Sequence, residues 1–157
     1  MTNPEVIKAL ETLLADTAIV YYKTHGFHWN VESSNFYGLH IMFEKFYNEV
    51  WESLDEIAER IRAIGGKAPP SLRALLNCAT LPETENTPTD LVMVEILKND
   101  YQALAQKTRE VAAFAKSQED DVTENMLIEK ATFLEKAAWM LRSTVSEDVL
   151  NSYSAGL

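Results

Sequence analysis

Residues that staple, bend or break a chain are scarce here: 157 positions hold one cysteine, five glycines and five prolines. The lone Cys78 cannot form an intramolecular disulfide and supplies no Cys-x-x-Cys pair for a structural zinc. Positive charge is also short, with 14 Lys and Arg against 24 Asp and Glu, a formal net charge of −10. That balance opposes attachment to nucleic acid or anionic membrane, since a polyanion is held mainly by Lys and Arg that neutralise its phosphates. No apolar run approaches the roughly 18 residues needed to span a bilayer. The opening Met-Thr-Asn-Pro-Glu has neither a basic segment nor an apolar signal core, so a cytoplasmic location is expected. Alternating strand patterns are missing too. A chain of this length buries about 70% of its unfolded surface, enough for one domain over 1–157 with no metal or disulfide needed to fold.

What is present is helical periodicity. After Asn3-Pro4, a cap followed by proline at the first helical position, Val6, Leu10, Leu13, Leu14, Thr17 and Tyr21 recur at intervals of three and four. The first helix is expected over about 4–30. Leu39, Phe43, Phe46, Val50, Leu54, Ile57 and Ile61 repeat likewise over about 36–64, ending at Gly65-Gly66 ahead of Pro69-Pro70. The connection to Pro88 is long for a compact bundle, though Ser71–Cys78 has the pattern of a short helix. Thr87-Pro88-Thr89-Asp90 then signals a third long helix over about 89–117. Leu127, Ala131, Leu134, Ala138, Leu141 and Val145 mark a fourth running to about 150. Four long amphipathic helices with one long crossover, which lets the second and third run parallel, describe an all-α, ferritin-like bundle better than an up-down-up-down one.

Candidate metal ligands cluster between residues 28 and 59: His28, His40, Asp55 and Glu59. At a rise of about 1.5 Å per residue, His40 and Asp55 lie roughly 22 Å apart on one helix and cannot bind the same ion within one chain. At about 100° per residue, however, His40, Glu44, Asp55 and Glu59 fall at roughly 0°, 40°, 60° and 100°, a single stripe. An antiparallel copy of the helix, related by a two-fold axis near Asn48–Trp51, brings His40 and Glu44 of one chain opposite Asp55 and Glu59 of the other. The plainer alternatives are that Asp55 and Glu59 are solvated helix acids and that His28, beside Trp29, is a hydrogen-bonded packing residue. Against the first, Glu49, Glu52 and Glu56 lie on the polar side, whereas the stripe borders the apolar face with Trp51 and Ala58. Acids buried there on assembly must be paired, protonated or metal-bound.

The string Lys23-Thr24-His25-Gly26-Phe27-His28-Trp29-Asn30, then Leu39-His40 with Phe43-Glu44, then Asp55-Glu56-Ile57-Ala58-Glu59-Arg60-Ile61 and Gly65-Gly66, resembles the Dps-type mini-ferritins along the whole chain. The resemblance implies a hollow dodecameric cage. It also implies a ferroxidase centre across a subunit two-fold axis, with His28, His40, Asp55 and Glu59 as its ligands. Fe(II) would be oxidised preferentially with hydrogen peroxide and the ferric product mineralised inside, joining iron storage to protection from oxidative stress. Glu44 stands where such proteins commonly have aspartate, so its longer arm either reaches the metal or holds a bridging water or a ligand histidine. The Glu-x-x-His motif of larger ferritins is absent. Imidazole and carboxylate suit iron, and also zinc, cobalt and manganese.

The remaining candidates have simpler readings. His25 matches no ligand position and is expected at a surface or interface. Trp29 and Trp139 are expected in the core, near the centre by resemblance, and Cys78 as a small buried apolar residue. Glu119, Asp120, Asp121 and Glu124 are either acids beside a three-fold pore or first-turn residues favoured by the helix dipole. Glu49, Glu52 and Glu56 either nucleate ferric oxide or face solvent. The DNA binding for which the resembling family is named is not expected: Lys8 is the only basic residue among the first ten, and Asn151–Leu157 carries no charged side chain. Two other readings stay open, a cage holding a redox-silent structural zinc and a DNA-compacting nucleoid protein.

Overall fold

Helix signals in the sequence become five helices in a computed structural model, which describes residues 3–146 together with Asn151 and Ala155. They are α1 (Pro4–Asn30), α2 (Phe36–Ala63), α3 (Leu72–Asn77), α4 (Asp90–Ser117) and α5 (Asp121–Thr144). No strand occurs among the described residues. The Asn3 side chain caps α1 by accepting from the amides of Glu5 and Val6, with Pro4 at the first helical position. Helix α2 ends in a Schellman arrangement: Gly66 N–H reaches Ile61 O at 2.8 Å and Gly65 N–H reaches Arg62 O at 3.1 Å, with Gly65 at φ 92°. A side chain at that φ would be strained, which is why the helix stops at glycine. At α4 the expected threonine cap makes no side-chain bond; Asp90 Oδ1 instead accepts from the Leu91 amide.

Helix α5 stops earlier than its apolar pattern. Val145 is its C-cap and Ser146 is not helical, so the run expected to about 150 fails at these two residues, and positions 147–150 lie outside the described residues.

Cross-helix contacts fix the topology. His28 meets His40 and Tyr21 meets Tyr47, so α1 and α2 are antiparallel. Arg109 pairs with Glu135 and Lys116 with Glu124, which makes α4 and α5 antiparallel. Lys23 pairs with Asp100 and Asp16 with Lys107, setting α4 antiparallel to α1. Helices α2 and α4 therefore run parallel, and the long segment 64–89 is the crossover that allows it, as in ferritin-like bundles. Leu10, Leu13, Phe43, Ile57, Met93, Leu97, Leu104, Leu127 and Leu141 fill one core contributed by all four long helices.

Buried polar groups hold the crossover in place. Asp16, wholly buried, accepts from the Thr80 amide at 2.6 Å, Thr80 Oγ1 at 2.7 Å, the Leu81 amide at 2.9 Å and the Lys107 ammonium. Burial pushes its carboxyl pKa up, but the four donors outweigh this and hold it below the usual value. Lys23 donates to Asp100 Oδ2 at 2.7 Å and to Pro82 O at 2.8 Å. Here burial wins, and the Asp100 carboxyl lies above its ordinary range despite the ammonium beside it. No buried side-chain nitrogen or oxygen among the described residues lacks a partner, so the interior is closed.

Candidate metal centre

Two histidines on different helices form the centre of the site. His28 lies in the last turn of α1 and is buried; His40 lies in the first turns of α2 and is half-buried. The short link 31–35 folds the helices back so that the two rings stack with centroids 3.8 Å apart and planes within 13°. Each ring bonds the other residue's backbone: His28 Nδ1 meets His40 O at 2.8 Å, and His40 Nδ1 meets His28 O at 2.8 Å. A carbonyl only accepts, so both Nδ1 atoms carry hydrogen and neutral rings leave both Nε2 lone pairs bare. Binding of Nδ1–H to a carbonyl is how ligand imidazoles are oriented for a metal at Nε2. The reciprocal clamp sets tautomer and ring direction at two adjacent donors, and satisfies the His28 carbonyl, one of those left open in the last turn of α1.

The carboxylates are elsewhere on α2. Glu44, one turn after His40, is half-buried, while Asp55 and Glu59, about four and about five turns after His40, are exposed. Among the described residues no three His, Cys, Asp or Glu side chains stand close enough to hold one metal ion. The single chain thus brings His28 and His40 together and leaves Asp55 and Glu59 apart from them. Asp55 borders an open groove of about 990 Å³ between α1, α2 and α3, lined also by Leu14, Tyr21, Trp51, Leu72 and Leu75.

Around the pair the surface is aromatic. Trp29 is 55% exposed, Trp51 58% and Tyr37 76%. The expectation that Trp29 and Trp139 occupy the core is therefore wrong for the subunit, since Trp139 is 54% exposed as well. Helical spacing marks an apolar position without saying whether the subunit's own core covers it. His25 is half-buried in this region, stacked on Tyr47 with centroids 3.8 Å apart and bonded through Nδ1 to the Tyr21 hydroxyl at 2.9 Å. Burial, and secondarily the charge of His28, holds its pKa below the ordinary value. Tyr21 and His25 are four residues apart on α1 and meet by helix geometry, but nothing in the spacing pointed to Tyr47 beside them, because it joins only once α1 and α2 pack.

One other expectation is corrected, and the acids at the start of α5 can be placed. Cys78 is half-buried at the C-cap of α3, its Sγ 3.5 Å from Ala74 O, and is not a core residue. Of the pore candidates, Asp120 caps α5 by accepting from the Thr123 amide and hydroxyl and also accepts from Arg60 at 2.7 Å, which accounts for both its oxygens. Those bonds outweigh the effect of burial and keep its pKa low. Glu124 pairs with Lys116, and Asp121 and Glu119 remain exposed. Glu56 pairs with Lys130, whereas Glu49 and Glu52 are exposed and make no such pair among the described residues.

Four long helices with one long crossover, and two clamped imidazoles where the first two helices meet, define the ferritin-like class of helical bundles. Residues 7–149 match the family described as ferritin-like domain. DNA protection during starvation protein 2 of Bacillus anthracis is 36% identical over 145 residues, covering 92% of this chain and 99% of the relative. The crystal structure of Dps from Staphylococcus aureus superposes with a TM-score of 0.87 at 35% identity, covering 93% of this chain and 99% of that one. A Dps protein from Vibrio cholerae O1, described as a member of a broad superfamily of ferritin-like diiron-carboxylate proteins, gives 0.86 at 26% identity, covering 92% and 97%. The chain belongs to the Dps-type mini-ferritins of the ferritin-like family. Iron storage and stress protection are the province of that family.

Proposed function

We propose that the protein is a ferroxidase that oxidises Fe(II) with hydrogen peroxide at sites shared between two copies of the chain, and stores the ferric product in a dodecameric cage. The observation that carries this reading is the reciprocal histidine clamp, which presents two bare Nε2 atoms while the matching carboxylates lie on the same helix beyond the reach of the same ion. A two-fold related copy supplies what each chain lacks: His28 and His40 of one face Asp55 and Glu59 of the other, with Glu44 either binding or holding a water. The exposed Trp51 and the groove beside it are the apolar surface such a pairing would cover. Carboxylates favour Fe(III) over Fe(II) and so lower the potential of the bound metal. Two Fe(II) in proximity deliver two electrons to one peroxide, which with two protons becomes two waters, and no hydroxyl radical is released.

Zinc fits the same donors and would occupy the site without turnover. DNA compaction has less support, because Lys8 lies within α1 and a cage multiplies the charge of −10. The deciding measurement is anaerobic, peroxide-driven Fe(II) oxidation by the wild type and by Asp55→Ala after both are shown to assemble alike. Rapid oxidation by the wild type and a loss of about 100-fold in the variant are expected, at the upper end of losses known for weaker metal-site perturbations. Equal, uncatalysed rates would sink the ferroxidase reading and leave a structural metal or an assembly contact.

A further inference from the structure

The two rings of the clamp are not held alike. His28 is buried, with Tyr47 edge-on at 5.1 Å and His25 at 5.9 Å, centroid to centroid, so the packed helices enclose it. His40 is half-buried, and its hydrogen bond through Nδ1 fixes one atom of the ring without stopping the ring from pivoting about that atom. One face of the His40 ring lies on His28. Phe36 lies against it too, with centroids 4.8 Å apart and planes within 25°, an offset stack in the favoured range. Two rings at these separations do not fit side by side on one face of an imidazole, so His40 is held between them. The contact follows from helix geometry: Phe36 and His40 are one turn apart on α2, and helical side chains lean toward the N-terminus, which lays His40 over Phe36. Phe36 itself is 45% exposed, so its ring adds little to the core.

We propose that Phe36 is a positioning residue of the metal centre, the ring that closes the outer face of His40 and holds its Nε2 in one direction for the ion. The inference rests on the reading of His28 and His40 as ligands, and adds to them a residue that touches no metal. Two physical effects act together. With the His40 ring clasped on both faces, less motion is left to freeze out when Nε2 binds, so the donor is pre-organised. Coordination at Nε2 also draws electron density from the imidazole, and a ring made electron-poor is attracted to the negative face of a phenyl group. The stack is therefore stronger with the ion bound than without it, and the difference appears as affinity. An aliphatic side chain of similar size supplies neither the flat face nor the quadrupole. A tyrosine supplies both.

Co(II), whose visible absorption reports the geometry of its ligands, is the probe, titrated into the assembled protein and followed by calorimetry and absorption. Phe36→Leu should bind it about 10-fold more weakly, the lower end of losses when a residue that orients a metal ligand is changed. Its visible spectrum should change as well, while the metal-free variant assembles and denatures in guanidinium as the wild type does. Phe36→Met is a second ring-free replacement with the same expectation. Phe36→Tyr keeps the ring and should keep both affinity and spectrum. Wild-type affinity and spectrum in the ring-free variants, or a loss in Phe36→Tyr as large as in Phe36→Leu, would overturn the inference. His40→Ala separates the two readings. If it takes up Co(II) as the wild type does, the ligand reading fails and the inference with it; if it loses uptake while Phe36→Leu keeps wild-type binding, the role of Phe36 alone fails.

Discussion

Helix α1 presents polar groups on two sides, and the two sides are finished differently. Toward α4, every charge is answered within the subunit: Asp16 by Lys107, Thr80 and Leu81, and Lys23 by Asp100 and Pro82. Toward α2, the His28 and His40 rings are clamped but their Nε2 atoms are left open, and Tyr22, Trp29 and Trp51 remain exposed nearby. The α4 side is a closed circuit whose worth is the stability and register of the bundle. The α2 side holds donors in place at the surface without using them. On the proposed reading, fold and function are carried by different faces of one helix, which lets each be changed separately.

The comparison breaks most severely if one member of the closed side is removed. Asp100→Ala strands the Lys23 ammonium, whose side chain is only 4% exposed, and should cost about 3–5 kcal/mol in guanidinium denaturation. Replacing both, as Lys23→Met with Asp100→Leu, should recover most of that loss, since a buried pair breaks roughly even against a packed apolar one. On the open side, Trp51→Glu should leave the subunit helical by circular dichroism while weakening association by about 2–4 kcal/mol, the range for an aromatic anchor, as read by sedimentation. A fully assembled variant at low concentration would contradict the interface described above.

Acidity sharpens the contrast within the closed side. Asp16 has a lowered carboxyl pKa, so its contribution is fully present above the unfolded-chain value of about 3.9 and is lost as pH falls through its lower folded value. Asp100 has a raised pKa, so ionising it costs stability as pH rises from about 3.9 through its folded value. Asp16→Asn should therefore destabilise by a constant amount at neutral pH and by progressively less below about pH 4, measured as the midpoint of denaturation against pH. Asp100→Asn should shift the same curve in the opposite sense over the acid range. The smallest effect expected is that of Tyr101→Phe, which removes one buried hydroxyl bond to Thr24 and should cost about 1 kcal/mol by the same denaturation measurement.

More of the closed side was legible than spacing for helices alone reveals. Asp16 and Lys23 lie two turns apart within the apolar stripe of α1, and Asp100 and Lys107 do the same in α4. Charges in the same order at equal spacing pair with opposite charges only if the helices are antiparallel, so topology and register were both encoded there. On the open side the stripe of His40, Glu44, Asp55 and Glu59 was readable from helix geometry, and so was the separation that keeps one chain from closing the site. Their union across a two-fold axis belongs to the proposal and not to the subunit.

By itself, the sequence determined where the long helices start and where α1, α2 and α4 stop, because caps, prolines, glycines and apolar spacing act over a few residues and need no distant partner. It also determined which donors share a helix face, since that follows from 3.6 residues per turn. Tertiary structure alone decided the tautomer of both histidines, because each Nδ1 is held by a carbonyl on the other helix. It decided that Tyr47 stacks on His25, and that Trp29 and Trp139 lie outside the subunit's core. An apolar stripe records that a position will be covered, but the packing of whole helices determines whether the cover comes from the same chain.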